Sequence, residues 1–474
     1  MSEQNVKHVV VIGAGPGGYP AAFLAADLGM QVTLIDPERN PGGVCLHRGC
    51  IPTKTLLHGA QIIREAAEAG DFGLTFEKPG IDLDKMRNKK NDVIAKLTGG
   101  LGHLTKKRNV RYIQGHARFI DGRTLEVTPI EGETETLSFD DAIIATGTRP
   151  MVLPFIDMSS DRVMNSAEAM DLPETPGSML VIGGGYIGLE MGTVYAALGT
   201  EVSVVDILPQ LLPGADADLV RTFSMRARRT FKEILLRTKV VKVQADEDGV
   251  TVAMENPKGE VTEKRYDKVL LTVGRTPNTN DLGLGNTKVK VDGRGFVLVD
   301  EKRETAEPHV WAIGDVVGGA MLAHKATAEG KAAVRAIQGN DVRFSPRAIP
   351  AVLFTDPELT WVGLTEAEAR EQGLDIETAK FNWAGSGRCL SLGRNDGLTK
   401  LIIEKDSDKV LGVGIVGPGA GELIAEGALA VEKEMTAADL AHTIHPHPTL
   451  SETIMEAAEA YYGLCTHMVA PKPR

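Results

Sequence analysis

The stretch His8-Val9-Val10-Val11-Ile12-Gly13-Ala14-Gly15-Pro16-Gly17-Gly18 reads as a buried strand running straight into a glycine turn. After His8 every strand position is apolar, the pattern of a parallel strand covered on both faces. Gly13, Gly15 and Gly18 carry the spacing G-x-G-x-x-G. Such a turn is tight, and its backbone can approach a pyrophosphate seated on the following helix N-terminus. Apolar spacing predicts a helix over 19–28 and a second strand over 31–35, which completes a βαβ unit. Asp36 at that strand's end is placed to accept hydrogen bonds from ribose hydroxyls. Pro20 falls in the first helical turn, where its missing N–H is tolerated.

The pattern returns at 179–206. A strand over 179–182 leads into Gly183-Gly184-Gly185-Tyr186-Ile187-Gly188, a helix to Leu198, a strand over 201–205, and Asp206. Gly183, Gly185 and Gly188 repeat the spacing, so the chain is expected to hold two related nucleotide domains. A carboxylate at 206 repels a 2′-phosphate, and no Arg or Lys lies between Asp206 and Gly214, which favours NAD over NADP. The plainer role for Asp206 is to cap the loop before Pro209. Apolar strands over 139–145 and 268–273 are expected to form the closing edges of the two domains. They end in Thr146-Gly147-Thr148-Arg149-Pro150 and Gly274-Arg275-Thr276-Pro277-Asn278, and linkers are expected near 150–154 and 275–281.

Past about residue 350 the character changes. Thr365 with Glu368 forms a capping-box pattern for a helix over 365–372. A strand pair is expected over 398–403 and 410–415, and helices over 422–434 and 436–443. This region has no glycine loop of its own. The expected fold class is α/β: two Rossmann-like dinucleotide-binding domains plus a C-terminal α+β domain.

Two cysteines stand about 30 residues after the first loop, in Gly42-Gly43-Val44-Cys45-Leu46-His47-Arg48-Gly49-Cys50-Ile51-Pro52-Thr53-Lys54. In a regular helix, residues five apart are separated by about 7.5 Å along the axis. A disulfide usually needs Cα atoms within about 6.8 Å. A Cys45–Cys50 bond therefore demands a broken helix. Gly49 loosens the backbone, and Pro52 removes the donor that would serve the Arg48 carbonyl. A strained local disulfide is a labile one, suited to exchange. The alternative, two buried apolar cysteines, leaves the flanking glycines and Pro-Thr-Lys unexplained. A metal site lacks further Cys or clustered His nearby, and none is expected.

Further along, Gly314-Asp315 ends an apolar strand, and Met321-Leu322-Ala323-His324 opens a helix whose N-terminus would favour negative charge. His445-Pro446-His447-Pro448-Thr449-Leu450-Ser451-Glu452 pairs a His with a carboxylate five residues on, the makings of a base held in one tautomer.

The chain has 474 residues, enough for two to four domains, and a net charge of −12. Nucleic acid is excluded as a partner by the lack of clustered Lys and Arg. An acidic surface suits a basic protein partner. Four cysteines, with Cys389 and Cys465 expected as ordinary thiols, make no structural disulfide framework. No signal peptide or membrane span is expected, which points to a cytoplasmic protein.

In order, these elements are the Gly13 loop, Cys45-x-x-x-x-Cys50, Ala145-Thr146-Gly147, the Gly183 loop, Gly274-Arg275-x-Pro277-Asn278, Gly314-Asp315 and His447-Pro448-Thr449. With them the chain resembles the flavin-dependent disulfide oxidoreductases over essentially its whole length. It is most similar to the branch that oxidises dihydrolipoamide with NAD. The resemblance implies FAD on Gly13, Gly15, Gly18 and Asp36, with Thr146, Gly147, Asp315, Met321, Leu322, Ala323 and His324 also at the flavin. It implies NAD on Gly183, Gly185, Gly188, Asp206 and Gly274. Cys50 would face the flavin and Cys45 would exchange with substrate. His447 would be the acid/base and Glu452 its orienter, both from the other subunit of a homodimer. Lys54 and Glu190 would pair beside the flavin where hydride passes. The implied domains are 1–149 for FAD, 150–278 for NAD, 279–348 completing the FAD side, and 349–474 for dimerisation. Implied partners are lipoyl domains, and a basic subunit-binding domain of a 2-oxo acid dehydrogenase complex or the glycine cleavage lipoyl protein. Pro446 departs from the family pattern, which usually has a small residue there. Reduction of another small disulfide is the alternative; Asp206 opposes an NADP-linked version, and the single Cys465 near the C-terminus opposes versions needing a second cysteine pair. A scaffold role is opposed by the intact set Cys45, Cys50, His447 and Glu452.

Overall fold

The computed structural model describes residues 6–469, in two compact units. The first unit takes residues up to Thr55, Asp84–Met151 and Gly274–Ser345; the second takes Leu56–Leu83, Val152–Val273 and Pro346 onward.

The first unit is built on a seven-stranded sheet. Its order is Val310–Ala312, Asp141–Ile144, His8–Ile12, Gln31–Asp36, Arg111–Asp121, Thr124–Pro129, Glu135–Ser138. The first five strands are parallel, and the last three form an antiparallel meander. Val9, Val10 and Val11 are fully buried, as a central parallel strand requires. Helices Gly18–Asp27 and Ala323–Ile337 pack together on one face.

In the second unit a five-stranded parallel sheet runs Glu233–Leu235, Glu201–Val205, Ser178–Ile182, Lys268–Leu271, Val163–Met164. A three-stranded antiparallel excursion, Lys239–Asp246, Gly249–Glu255 and Val261–Tyr266, leaves it. The C-terminal part is an antiparallel five-stranded sheet, Ala351–Leu353, Glu358–Gly363, Val410–Gly417, Leu398–Glu404, Ile376–Asn382. Helices Ala420–Glu432 and Glu452–Tyr461 cover it. Trp383 is fully buried in this core, and its indole N–H donates to Thr399 Oγ1 at 2.9 Å.

One expectation is corrected. The strands expected at the domain edges are shorter, Asp141–Ile144 and Lys268–Leu271, and both lie inside their sheets. All four residues of each are buried, with a parallel strand on either side. Val310–Ala312 and Val163–Met164 lie outside them, each at one edge of its sheet.

In the second unit Lys400, 1% exposed, sits among Asp216, Asp218 and Glu366 at 2.8, 3.0 and 2.5 Å. Its ammonium fills the position these carboxylates could otherwise offer a cation.

Candidate active site

The two glycine loops are bonded alike. Gly13 N–H donates to the Ile35 carbonyl at 2.8 Å, and Gly183 N–H to Val205 at 2.9 Å. Asp36 Oδ2 accepts from Ala14 N–H at 2.6 Å and Oδ1 from Glu38 N–H at 2.9 Å. Asp206 repeats this with Gly184 N–H at 2.6 Å and Leu208 N–H at 2.8 Å. Each acid thus pins its own glycine loop, so Asp206 also fulfils the plainer capping role. Burial pushes the Asp36 carboxyl up, against the two N–H groups that favour its ionised form.

The outer glycines are required by sterics. A Cβ on Gly18 would lie 1.8 Å from the Gly13 carbonyl oxygen, and one on Gly188 would lie 2.2 Å from that of Gly183. The middle glycines face space: a Cβ on Gly185 would meet nothing within 4 Å, and one on Gly15 only Gly43 Cα at 3.8 Å. Helices Gly18–Asp27 and Tyr186–Leu198 begin with no side-chain cap and no acid in the first turn. Open middle glycines and uncapped helix N-termini fit a dinucleotide pyrophosphate at both loops. Gly188→Ala is expected to weaken NAD binding at least about tenfold, from the one to three kcal/mol that overpacking costs, while the flavin of the first loop stays bound. Equilibrium titration with NADH and the flavin absorbance check both halves; NADH affinity equal to the parent's would sink it.

The thiol segment docks on the first loop. Gly42 N–H donates to Ala14 O at 2.9 Å, and a Cβ on Gly43 would lie 2.4 Å from Gly15 Cα. Helix Gly43–Arg48 stops at Gly49, whose backbone (φ −148°, ψ −115°) is not helical, and a new helix runs Cys50–Glu68. The expected break is therefore present. Both cysteines are half-buried. Cys45 is pushed strongly up, first by its hydrogen bond to Cys50 and then by burial, with Lys54 acting against both.

Around Asp315, at the strand-end turn Gly314–Val317, the chain places groups far apart in sequence. Thr148 Oγ1 donates to Asp315 Oδ2 at 3.0 Å. Glu329, fully buried between Lys325 and Arg303, accepts from Gly314 N–H at 2.7 Å and fixes the turn. Thr146 and Asn278 exchange hydrogen bonds at 2.9 Å, which ties Gly147 into the same ribbon. Helix Ala323–Ile337 starts after Leu322 without a side-chain cap, so its first N–H groups suit a ring carbonyl or anion. Met321 and His324 lie exposed at this end.

In the second unit His447 Nδ1 lies 2.8 Å from Glu452 Oε1, while Thr449 N–H donates to Glu452 Oε2 at 2.7 Å. The His447 side chain is 72% exposed. Partial burial opposes ionisation of Glu452, but Thr449 N–H and His447 outweigh it and hold its pKa below the ordinary carboxylate value. With Nδ1–H given to Glu452, Nε2 is the acceptor that faces outward. His445 is a structural partner instead, held by Glu426 at 2.8 Å and the Thr443 carbonyl at 2.8 Å. Glu190, buried at the start of its helix, accepts from Phe354 N–H at 3.0 Å. Cys389 is a core residue, and Cys465 donates to Glu456 at 2.8 Å, its pKa pushed up to about 12 by burial and that carboxylate.

Sequence reasoning did not assign Thr148, Arg275 or Glu329 to the site. The first two lay within quoted motifs but were read only as strand ends; Glu329 carried no local signal.

Paired dinucleotide loops, a docked thiol pair and a carboxylate-held histidine define a nucleotide-linked thiol oxidoreductase. Residues 7–330 match the pyridine nucleotide-disulphide oxidoreductase family and 349–458 its dimerisation domain, and the chain belongs to that family. It is an oxidoreductase of FAD and NAD(H), and its dimerisation domain marks a homodimer. It is 47% identical to dihydrolipoyl dehydrogenase of Haemophilus influenzae over 474 residues, covering 100% of this chain and 99% of that protein. It is 43% identical to dihydrolipoyl dehydrogenase of Geobacillus stearothermophilus over 461 residues, covering 97% of each. Among solved structures, LpdA of Mycobacterium tuberculosis superposes with a TM-score of 0.89 at 27% identity, covering 96% of this chain and 99% of that one. The HOCl-induced flavoprotein disulfide reductase RclA of Escherichia coli gives 0.85 at 27%, covering 95% and 99%. No helix among the described residues is long and apolar enough to cross a membrane.

Proposed function

We propose that this chain oxidises protein-bound dihydrolipoamide to lipoamide while reducing NAD⁺ to NADH, as a cytoplasmic dimer serving a 2-oxo acid dehydrogenase complex or the glycine cleavage system. The observation that carries the reading is the Cys45–Cys50 pair, set on a broken helix and docked by Gly42 and Gly43 against the first dinucleotide loop. In the oxidised enzyme the pair is a disulfide. His447 Nε2 takes the proton of a lipoyl thiol, with Glu452 holding the ring in the receptive tautomer and stabilising its charged form. The resulting lipoyl thiolate attacks Cys45 Sγ, breaks the Cys45–Cys50 bond and releases Cys50 as thiolate. The second lipoyl thiol then attacks the lipoyl sulfur of the mixed disulfide and expels Cys45, which takes up the proton this thiol loses, so lipoamide leaves oxidised with Cys45 as thiol, Cys50 as thiolate and the other proton on His447. Bound FAD supplies the two-electron acceptor for this pair and bound NAD⁺ the hydride acceptor beyond it. Lys54 and Glu190 are assigned to the step at the flavin, and Asp36, Asp315 and the 321–324 segment to holding it. Asp206 selects NAD, since its carboxylate would repel a 2′-phosphate.

Supplying the purified yellow protein with dihydrolipoamide and NAD⁺ should yield NADH. Glutathione disulfide with NADPH should give at most about a thousandth of that rate, as expected when the Asp206 carboxylate faces the extra phosphate. Preference for the second pair would replace this reading with that of another small-disulfide reductase. A lipoyl domain that is no better a substrate than free dihydrolipoamide would remove the multienzyme partner from it.

A further inference from the structure

We infer that a fully buried hydrogen-bond chain, Trp383–Thr399–Thr453, holds the proton-transfer pair His447–Glu452 in place, with Thr399 as the positioning residue at its centre. The inference rests on the reading of His447 as the acid/base.

The chain runs in one direction and ends on the loop that carries the pair. Trp383 Nε1–H donates to Thr399 Oγ1 at 2.9 Å, the Thr399 hydroxyl donates to Thr453 Oγ1 at 2.9 Å, and the Thr453 hydroxyl donates to the Leu450 carbonyl at 2.8 Å. Thr453 N–H reaches the same carbonyl at 3.1 Å. Thr453 follows Glu452 directly, and Leu450 lies between His447 and Glu452, so the chain grips the segment that joins the two. On the other side of Leu450, Thr449 N–H donates to Glu452 Oε2 at 2.7 Å and the Thr449 hydroxyl to the Pro446 carbonyl at 2.7 Å. The turn that aims His447 is thus built on Thr449 and Leu450, and Leu450 is where the core holds it.

The far end of the chain is immobile. Trp383, Thr399 and Thr453 are each 0% exposed. A Cβ on Gly397 would lie 2.2 Å from Trp383 Cδ2, and one on Gly417 would lie 2.2 Å from its Cζ3, so backbone closes in the indole. Thr399 sits in the middle of the antiparallel sheet, paired with Phe381 on one side and Ile415 on the other. The surrounding core is apolar, with Phe381, Ile415, Ile454 and Ala457 among its members. Hydroxyls buried there cost desolvation unless each finds a partner, and here every donor meets the next acceptor. Apolar side chains could fill the same space, but their contacts carry no direction. A hydrogen-bond chain does, and it fixes where the Leu450 carbonyl stands. The rigidity of the sheet is passed in this way to Leu450, and through Thr449 and Glu452 to the His447 ring.

The test uses the holoenzyme. Thr399→Val keeps the shape of the side chain but leaves the indole N–H without its acceptor and Thr453 without its donor. It should lower kcat/KM for dihydrolipoamide about tenfold, as a small displacement of a catalytic group does, and leave NADH-to-ferricyanide turnover within about twofold. Amide exchange of the peptide 446–454, read by mass spectrometry, should quicken at least about fivefold as the loop loosens. Thr399→Ser restores the hydroxyl and should recover most of the lipoyl rate. In a His447→Gln background Thr399→Val should bring no further loss, because the residue acts through the base. Thr453→Val removes the donor to Leu450, should behave as Thr399→Val does, and takes its place should that variant fail to fold. Parental kcat/KM, an equal fall in ferricyanide turnover, or a further loss in the His447→Gln background would overturn the inference. Parental turnover in His447→Gln alone would instead remove the acid/base reading, and the exchange rate of 446–454 would still decide whether the chain holds the loop.

Discussion

Cys50→Ser is expected to lower dihydrolipoamide-dependent NADH formation by at least about three orders of magnitude, as removal of a covalent-catalysis nucleophile does, while the protein stays yellow. The two halves of this result follow from different parts of the structure. Oxygen cannot replace sulfur in a reversible S–S bond, so neither the resting disulfide nor its exchange with a lipoyl thiol can form. Flavin retention follows because Cys50 only opens the helix Cys50–Glu68, while the loop that would hold the dinucleotide is fixed by Asp36 and by Gly42 on Ala14. The residue is half-buried and the exchange removes little volume, so no cavity of consequence opens. Absorbance of the purified variant and a steady-state NADH assay measure the two halves. Turnover near the parental level would refute the sulfur relay, and loss of flavin together with turnover would show that the cysteine is structural.

The sequence made most of this site legible because most of its signals are local. The two glycine loops could be read from spacing alone, and their matched hydrogen bonds down to Asp36 and Asp206 show why: each loop is closed by an acid 22 residues after the residue it pins. The break between Cys45 and Cys50 was legible for the same reason, since Gly49 and Pro52 act within one turn. The capping boxes at Thr365 and Thr436 are local too; the first was read and the second was not. What escaped are groups brought together by topology. Thr148 and Asp315 are 167 residues apart, and Thr148 and Arg275 are 127 apart. Glu329 is a fully buried carboxylate in the middle of a helix, and nothing in its neighbourhood says that it will meet a turn 15 residues upstream. The strands Asp141–Ile144 and Lys268–Leu271 were misplaced at edges because sheet order is set by crossovers, which a run of apolar residues does not encode.

His447→Gln is expected to cut turnover of dihydrolipoamide by about two to four orders of magnitude, the range for a general acid–base, and to leave electron transfer from NADH to a one-electron acceptor such as ferricyanide within about twofold, since no proton of a lipoyl thiol is moved in that reaction. Glutamine keeps a polar group of similar reach opposite Glu452 but cannot take a proton, so the loss belongs to chemistry. Glu452→Gln tests the orienter: the amide still reaches Nδ1 of His447 but no longer balances the charged ring, and a loss of about ten- to a hundredfold is expected, typical of a partner that fixes ring orientation. The folded-state pKa of Glu452 is depressed, so its favourable contribution is complete above the ordinary carboxylate value near 4.3 and is lost as pH falls through its lowered folded value. The carboxylate is therefore ionised across the neutral range, and the loss in Glu452→Gln should be the same at every pH there. Parental turnover in Glu452→Gln, or a His447→Gln enzyme that loses ferricyanide reduction along with lipoyl turnover, would show that the pair supports the fold of the C-terminal helix and not the proton transfer.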